Sequence, residues 1–166
     1  MKHHFALLLT AFAMAFSFKS HEYKLNGNEL ILPVPITFSD SSGSPVLTHE
    51  SDSALNYIKN YLNEKSYITT LRIEGHTNNN GDKFAQDLSS KKKALLVGRW
   101  LVKNGIDCNR LKCVGFGSTK PLQSNDTPEG KAANNRITIV NAALRKVPIG
   151  GMPIDGGGES AGDPCK

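Results

Sequence analysis

Ile68-Thr-Thr-Leu-Arg-Ile-Glu74-Gly75-His-Thr-Asn-Asn-Asn-Gly81 decides the fold. Leu71 and Ile73 alternate with Arg72 and Glu74, the period of a strand with one face toward a core. The strand runs straight into Gly75-His76-Thr77-Asn78, so that loop sits on a rigid edge. Asp82 can then cap a helix reaching about Asn104. Ala94, Val97 and Leu101 lie on its inner face, Trp100 stands beside them, and Gly105 is a C-terminal stop.

Working outward, Arg110 to Phe116 reads as a strand whose exit is loosened by Gly115 and Gly117, and Ser118 to Asn125 as a loop. Asp126 or Thr127, with Glu129, starts a short helix, and Arg136 to Ala142 supplies a last strand. Upstream, Leu30, Leu32, Val34 and Ile36 alternate through a strand from Leu30 to Phe38. Pro33 and Pro35 remove two of its backbone donors and push its first half to a sheet edge. Ser39 to Pro45 is turn-forming, and Ser51 or Ser53 can cap a helix through about Glu64 with Leu55, Ile58 and Leu62 on one face. The order β-α-β-α-β-(short α)-β gives an α/β (α+β) sandwich, with helices packed on one face of a mixed sheet.

At 166 residues the chain holds one ordinary core. Lys2, the twelve-residue apolar run Phe5 to Phe16 and the small residues around Ala15 read as a secretory signal peptide over residues 1–17. Twelve residues are too few for a membrane-spanning helix, which needs roughly 20. No cysteine stands near the cleavage region to take a lipid, and there is no room for an outer-membrane barrel. The expected location is the periplasm, with association to the outer membrane open. Residues 18–29 form a polar lead-in, 30–143 the domain and 144–166 a tail. From Val147 onward six Gly and three Pro among twenty residues leave little to bury, so the tail is expected to be disordered.

The formal charge of +5 describes a mildly basic surface and does not call for a nucleic-acid partner. Export permits disulfides. Cys108 and Cys113 can close a small loop, although Cys113 reads equally as a buried strand residue, and Cys165 is expected to be exposed in the tail. The scattered histidines and cysteines lack the close spacing of a metal site. Neither metal nor cofactor is expected.

Gly75-His76-Thr77-Asn78, Gln86-x-x-Ser89-Ser90-x-x-Lys93-Ala94, Gly115-Phe116-Gly117, Pro121 and Gly130-Lys131-x-x-Asn134-Asn135-Arg136 together resemble the OmpA-like C-terminal, peptidoglycan-associating domain family over about Ile36 to Ala143. The resemblance implies a module that binds the peptide stem of peptidoglycan without turnover. In that family an aspartate takes the ammonium, and an arginine the carboxylate, at the side-chain end of diaminopimelate. Here those positions are Asn78 and Lys93, and an arginine of the last motif is Asn135. Gln86, Asn134 and Arg136 complete the candidate ligand-binding set.

Charge-assisted hydrogen bonds are worth about 1.5–3 kcal/mol against about 0.5–1.5 for neutral ones, so these replacements predict weakened diaminopimelate recognition. Each residue also has a bland reading. The Asn78 to Asn80 run is turn-prone, Lys91 to Lys93 can be a solvated helix face, and Asn134 can organise loop backbone. Two functions follow: a periplasmic peptidoglycan binder, or a degenerate domain that contacts other envelope proteins. No catalytic residue is assigned, because Cys113 with His76 lacks a recognisable nucleophile motif and fits core packing better.

Overall fold

The computed structural model describes residues 22–41, 44–150 and 158–166. The signal segment expected over residues 1–17 lies outside them. Among the described residues no helix is long and apolar enough to cross a membrane.

The centre of the sheet is β5 (Ile68–Gly75), flanked by β6 (Leu111–Gly115) in parallel and β7 (Ile137–Leu144) antiparallel. Beyond β7 lie β2 (Glu29–Leu30) and β1 (Leu25–Asn26), with β8 (Val147–Pro148) folded back on β7's end. Beyond β6 the sheet is closed by β9 (Glu159–Gly162). A separate hairpin is formed by β3 (Phe38–Ser41) and β4 (Ser44–Leu47).

Two long helices, α1 (Asp52–Glu64) and α2 (Lys83–Lys103), and a short α3 (Pro128–Asn134) complete the domain. Leu55, Ile58 and Leu62 of α1 and Ala94, Val97 and Leu101 of α2 are fully buried in one cluster with Leu71 and Ile73 of β5. Burying each of the large aliphatic side chains stabilises the fold by about 1.5–3 kcal/mol. Asp82 accepts from the Ala85 amide, and Thr127 from the Gly130 amide, at the starts of α2 and α3. Ser51 precedes α1 without capping it. Its hydroxyl accepts from the Thr37 amide and donates to the Thr37 carbonyl, tying the chain before β3 to the helix start.

Of the expected strand from Leu30 to Phe38 only the two ends pair, Leu30 in the main sheet and Phe38 with Leu47 in the hairpin. Pro33 and Pro35 offer no N–H, and the chain is irregular until Phe38. The stretch Ser39 to Pro45, expected as a turn, lies largely within the two strands of the β3–β4 hairpin.

The tail departs most from its composition. Glu159, Ser160 and Gly162 pair with Gly115, Val114 and Cys113 of β6. The bridge is Cys108–Cys165, not the small loop Cys108–Cys113, and Cys113 is a free buried thiol whose pKa burial pushes up to about 12. Lys91 pairs with Glu159, and Pro164 is buried. Backbone pairing and a covalent tie thus order residues that have few apolar side chains to bury. Residues 151–157 lie outside the described set.

With 57 residues between its ends, the Cys108–Cys165 bridge restricts a long loop of the unfolded chain. The chain-entropy relation gives an upper stabilisation of about 4 kcal/mol. Cys165→Ser should therefore lower the urea midpoint and speed amide exchange at Val114 and Gly115, while Cys113→Ser should leave the bridge intact by mass spectrometry. An unchanged midpoint in Cys165→Ser would show that the tie adds nothing to stability.

Candidate functional site

The loops at the ends of β5 and β6 are held by one residue of α2. Ser90 is fully buried; its hydroxyl donates to the Asp87 carbonyl and accepts from the Gly117 amide. A Cβ on Gly75 would sit 2.1 Å from the Ser90 carbonyl oxygen, and one on Gly115 would sit 2.6 Å from the Ser90 hydroxyl. The glycines of both motifs are therefore demanded by the close approach of helix and strands. Two backbone bonds, from the Phe116 amide to the Gly75 carbonyl and from the Thr77 amide to the Gly117 carbonyl, stitch the loops together.

Behind these loops, on the sheet face turned away from the helices, is a buried charged group. The Arg72 Nε donates to Glu74 at 2.6 Å, and both residues are nearly inaccessible. His76 is 1% exposed, and its ring stacks parallel on Phe116 with centroids 5.3 Å apart. Lys120 stands 4.0 Å from the Phe116 ring centre on a cation–π contact. The His76 Nε2 lies 3.4 Å from Glu74, longer than a strong hydrogen bond, and its Nδ1 has no hydrogen-bond partner among the described residues. Burial lowers the His76 pKa, so the ring is neutral in the fold; Glu74 opposes this, while Arg136 and Lys120 add to it. Burial raises Glu74, but His76 and Arg72 outweigh it and hold the carboxylate below its usual range.

The six residues expected to bind ligand fall into separate settings. Asn134 is fully buried. Its oxygen accepts from the Leu122 and Gln123 amides, and its nitrogen donates to the Gln123 carbonyl and to Asn125. It organises the loop before α3. Gln86 is likewise committed, donating to the Gly81 carbonyl and accepting from Ser118. Asn135 accepts from the Asn78 amide, and the Asn78 oxygen accepts from the Asn80 amide, closing a turn. Arg136 is half-buried with one nitrogen donating to the Lys120 carbonyl, and burial lowers its pKa against the pull of Glu29 and Glu74.

Lys93 lines a cleft among the described residues. This cavity of about 350 Å³ lies between α2 and the β3–β4 hairpin, bounded by Phe38, Asp40, Pro45, Leu88, Ser89 and Lys93 among others. The Lys93 ammonium lies 5.7 Å from the Phe38 ring centre, and burial lowers its pKa while Asp40 raises it. The cleft thus offers two bases, Lys92 and Lys93, one acid and an aromatic wall. Asp40 is not singled out in the sequence because Ser39 to Pro45 reads as a turn, and Phe38 reads only as the end of the preceding strand. The signal that identifies the hairpin is the Ser42-Gly43 pair between two four-residue runs.

The OmpA family model matches residues 41–136, more than half of the chain. This chain belongs to the OmpA family. Among relatives, the probable lipoprotein YiaD of Escherichia coli K12 is 29% identical over 119 residues, covering 72% of this chain and 54% of YiaD. The peptidoglycan-binding protein ArfA of Mycobacterium tuberculosis is 40% identical over 70 residues, covering 42% of this chain and 22% of ArfA. The chain thus spans about half the length of the first of these curated relatives and about a fifth of the second. The solved peptidoglycan-associated lipoprotein from Burkholderia pseudomallei superimposes with a TM-score of 0.56 at 23% identity, over 63% of this chain and 86% of that one. That likeness shows the fold. The matched family segment ends at Arg136, so β7 to β9 and Cys165 lie beyond it.

Two outcomes follow from the buried group. The lowered His76 pKa makes its contribution to stability complete above the unfolded value, about 6.5, and lost as pH falls below it. The depressed Glu74 pKa adds a second loss below about 4.3. Unfolding free energy measured by urea titration should be flat between about pH 7 and 8 and fall in acid, and His76→Gln should remove the fall between about pH 7 and 5. An identical profile in the variant would disprove this account of His76. Gly75→Ala, which drives a methyl into the Ser90 carbonyl, should destabilise by about 3 kcal/mol or more in the same assay.

Proposed function

We propose that this protein acts in the periplasm as a non-covalent peptidoglycan-binding domain, taking the zwitterionic end of a diaminopimelate-containing stem peptide in the cleft between α2 and the β3–β4 hairpin. The observation that carries the proposal is the placement of Lys93 and Asp40 beside an apolar wall in one cavity. Lys93 takes the ligand's carboxylate, and Asp40 takes the ammonium that Asn78, neutral and closed on Asn80, is not placed to neutralise. The likeness to the peptidoglycan-binding protein ArfA and the family membership support the same ligand class. A lysine presents a point charge without the planar fork of arginine, so recognition is weaker than a two-point pair would give. Nothing in this mode of binding requires a reacting group.

Sedimentation with isolated sacculi at low salt tests the proposal. The wild-type chain should pellet, and Lys93→Met or Asp40→Asn should weaken binding by about tenfold to a hundredfold, the loss of one charge-assisted bond. Asn78→Asp should change affinity by less than about threefold, below 1 kcal/mol. Wild-type protein remaining in the supernatant would reject the reading, and a tenfold gain in Asn78→Asp would move the contact to that loop.

A second reading rests on Phe84, 77% exposed, and on the exposed Leu88 one turn further along α2, which also lines the cleft. An apolar pair at that spacing suits another envelope protein as partner. Phe84→Ser separates the two readings: wall binding survives the change, and docking of a protein on that face does not.

A further inference from the structure

The cleft does not end at Lys93. A second hollow of about 160 Å³ is lined by Ser44, Pro45, Lys92, Leu95, Leu96 and Arg99. Pro45 and Lys92 line both cavities, so together they form one groove between α2 and β4. Its two ends differ in chemistry. The end at Lys93 carries Asp40, whereas the far end has two cations, Lys92 and Arg99, beside two leucines and, among the described residues, no acid in its lining. Lys92 and Arg99 are seven residues apart on α2, two turns, and therefore share a face.

From these observations we infer that the far end is a subsite for the carboxylate-terminated continuation of the same stem peptide, with Arg99 on the carboxylate and Leu95 and Leu96 against the side chain of the residue that bears it. The inference rests on the peptidoglycan reading above and adds the part of the ligand that reading leaves unassigned. Length agrees. Lys93 and Arg99 are six residues apart, about 9 Å along the helix at about 1.5 Å per residue. That is the span of two to three extended residues at about 3.3–3.6 Å each. A peptide whose diamino acid holds Lys93 with its side-chain end, and which continues for one further residue, brings its free carboxylate to Arg99. A stem that stops at the diamino acid leaves Arg99 unused. The protein would then distinguish stems by how far trimming has proceeded beyond the diamino acid.

The experiment is a titration of the full chain with two synthetic peptides: a tripeptide stem ending in meso-diaminopimelate, and a tetrapeptide stem with one additional D-alanine. The wild type should bind the tetrapeptide about tenfold more tightly. Arg99→Gln should bring the tetrapeptide to the tripeptide's affinity and leave the tripeptide unchanged. Because Arg99 is an exposed helix residue, circular dichroism should show the variant folded. Equal affinity of the two peptides for the wild type, or equal weakening of both by Arg99→Gln, would overturn the subsite while leaving the Lys93 cleft standing. Failure of both peptides to bind would remove the subsite together with the reading beneath it.

Discussion

The contact between Ser90 of α2 and the glycine ends of β5 and β6 is the constraint on which the rest of the structure depends. Helix and strands approach until no side chain fits at Gly75 or Gly115. The Ser90 hydroxyl then spans the gap to the Gly117 amide. Because the two loops are held against one helix residue, the Asn-rich turn, the start of α2 and the loop before α3 stand in fixed relation. The Gly-His-Thr and Gly-Phe-Gly segments are first a packing requirement, and the ligand chemistry is arranged around them.

That arrangement separates charge into two environments. On the sheet face opposite the helices, Arg72, Glu74 and His76 are buried and Arg136 is half-buried beside them, with the pKa values of Glu74, His76 and Arg136 shifted by burial and by their neighbours. A buried ion pair of this kind is weak evidence for stability, but leaving either member alone would be costly. On the helix side, Lys93 and Asp40 face an open cleft. The first group keeps the loop roots rigid, while the second is available to a ligand.

The sequence disclosed the elements whose periodicity is strong. Leu71 and Ile73, and the stripes of α1 and α2, lie in the core as their spacing predicts. It disclosed the site less well, because motif position does not reveal where a side-chain amide is spent. Asn134 and Gln86 occupy motif positions, yet their hydrogen bonds go to the backbone of their own loops and to Ser118 and Asn125. Asp40 is hidden because four-residue strands rich in Ser and Asp look like a turn, and Phe38 because it reads as the end of the preceding strand. The tail was misjudged because composition registers the scarcity of apolar side chains but not a free sheet edge, and because Cys165 finds its partner 57 positions away.

Closure of the β6 edge by β9 carries a consequence for self-association. An uncovered edge strand is a template for pairing with other chains, and here the covering strand is short and its register is interrupted between Cys113 and Val114. The covalent end at Cys165 makes that cover persistent, and such bonds persist only where the surroundings oxidise thiols. Without that bond the cover over the β6 edge would rest on three strand pairs and the Lys91–Glu159 contact, so the same cysteine that closes the loop also guards the sheet margin against self-association.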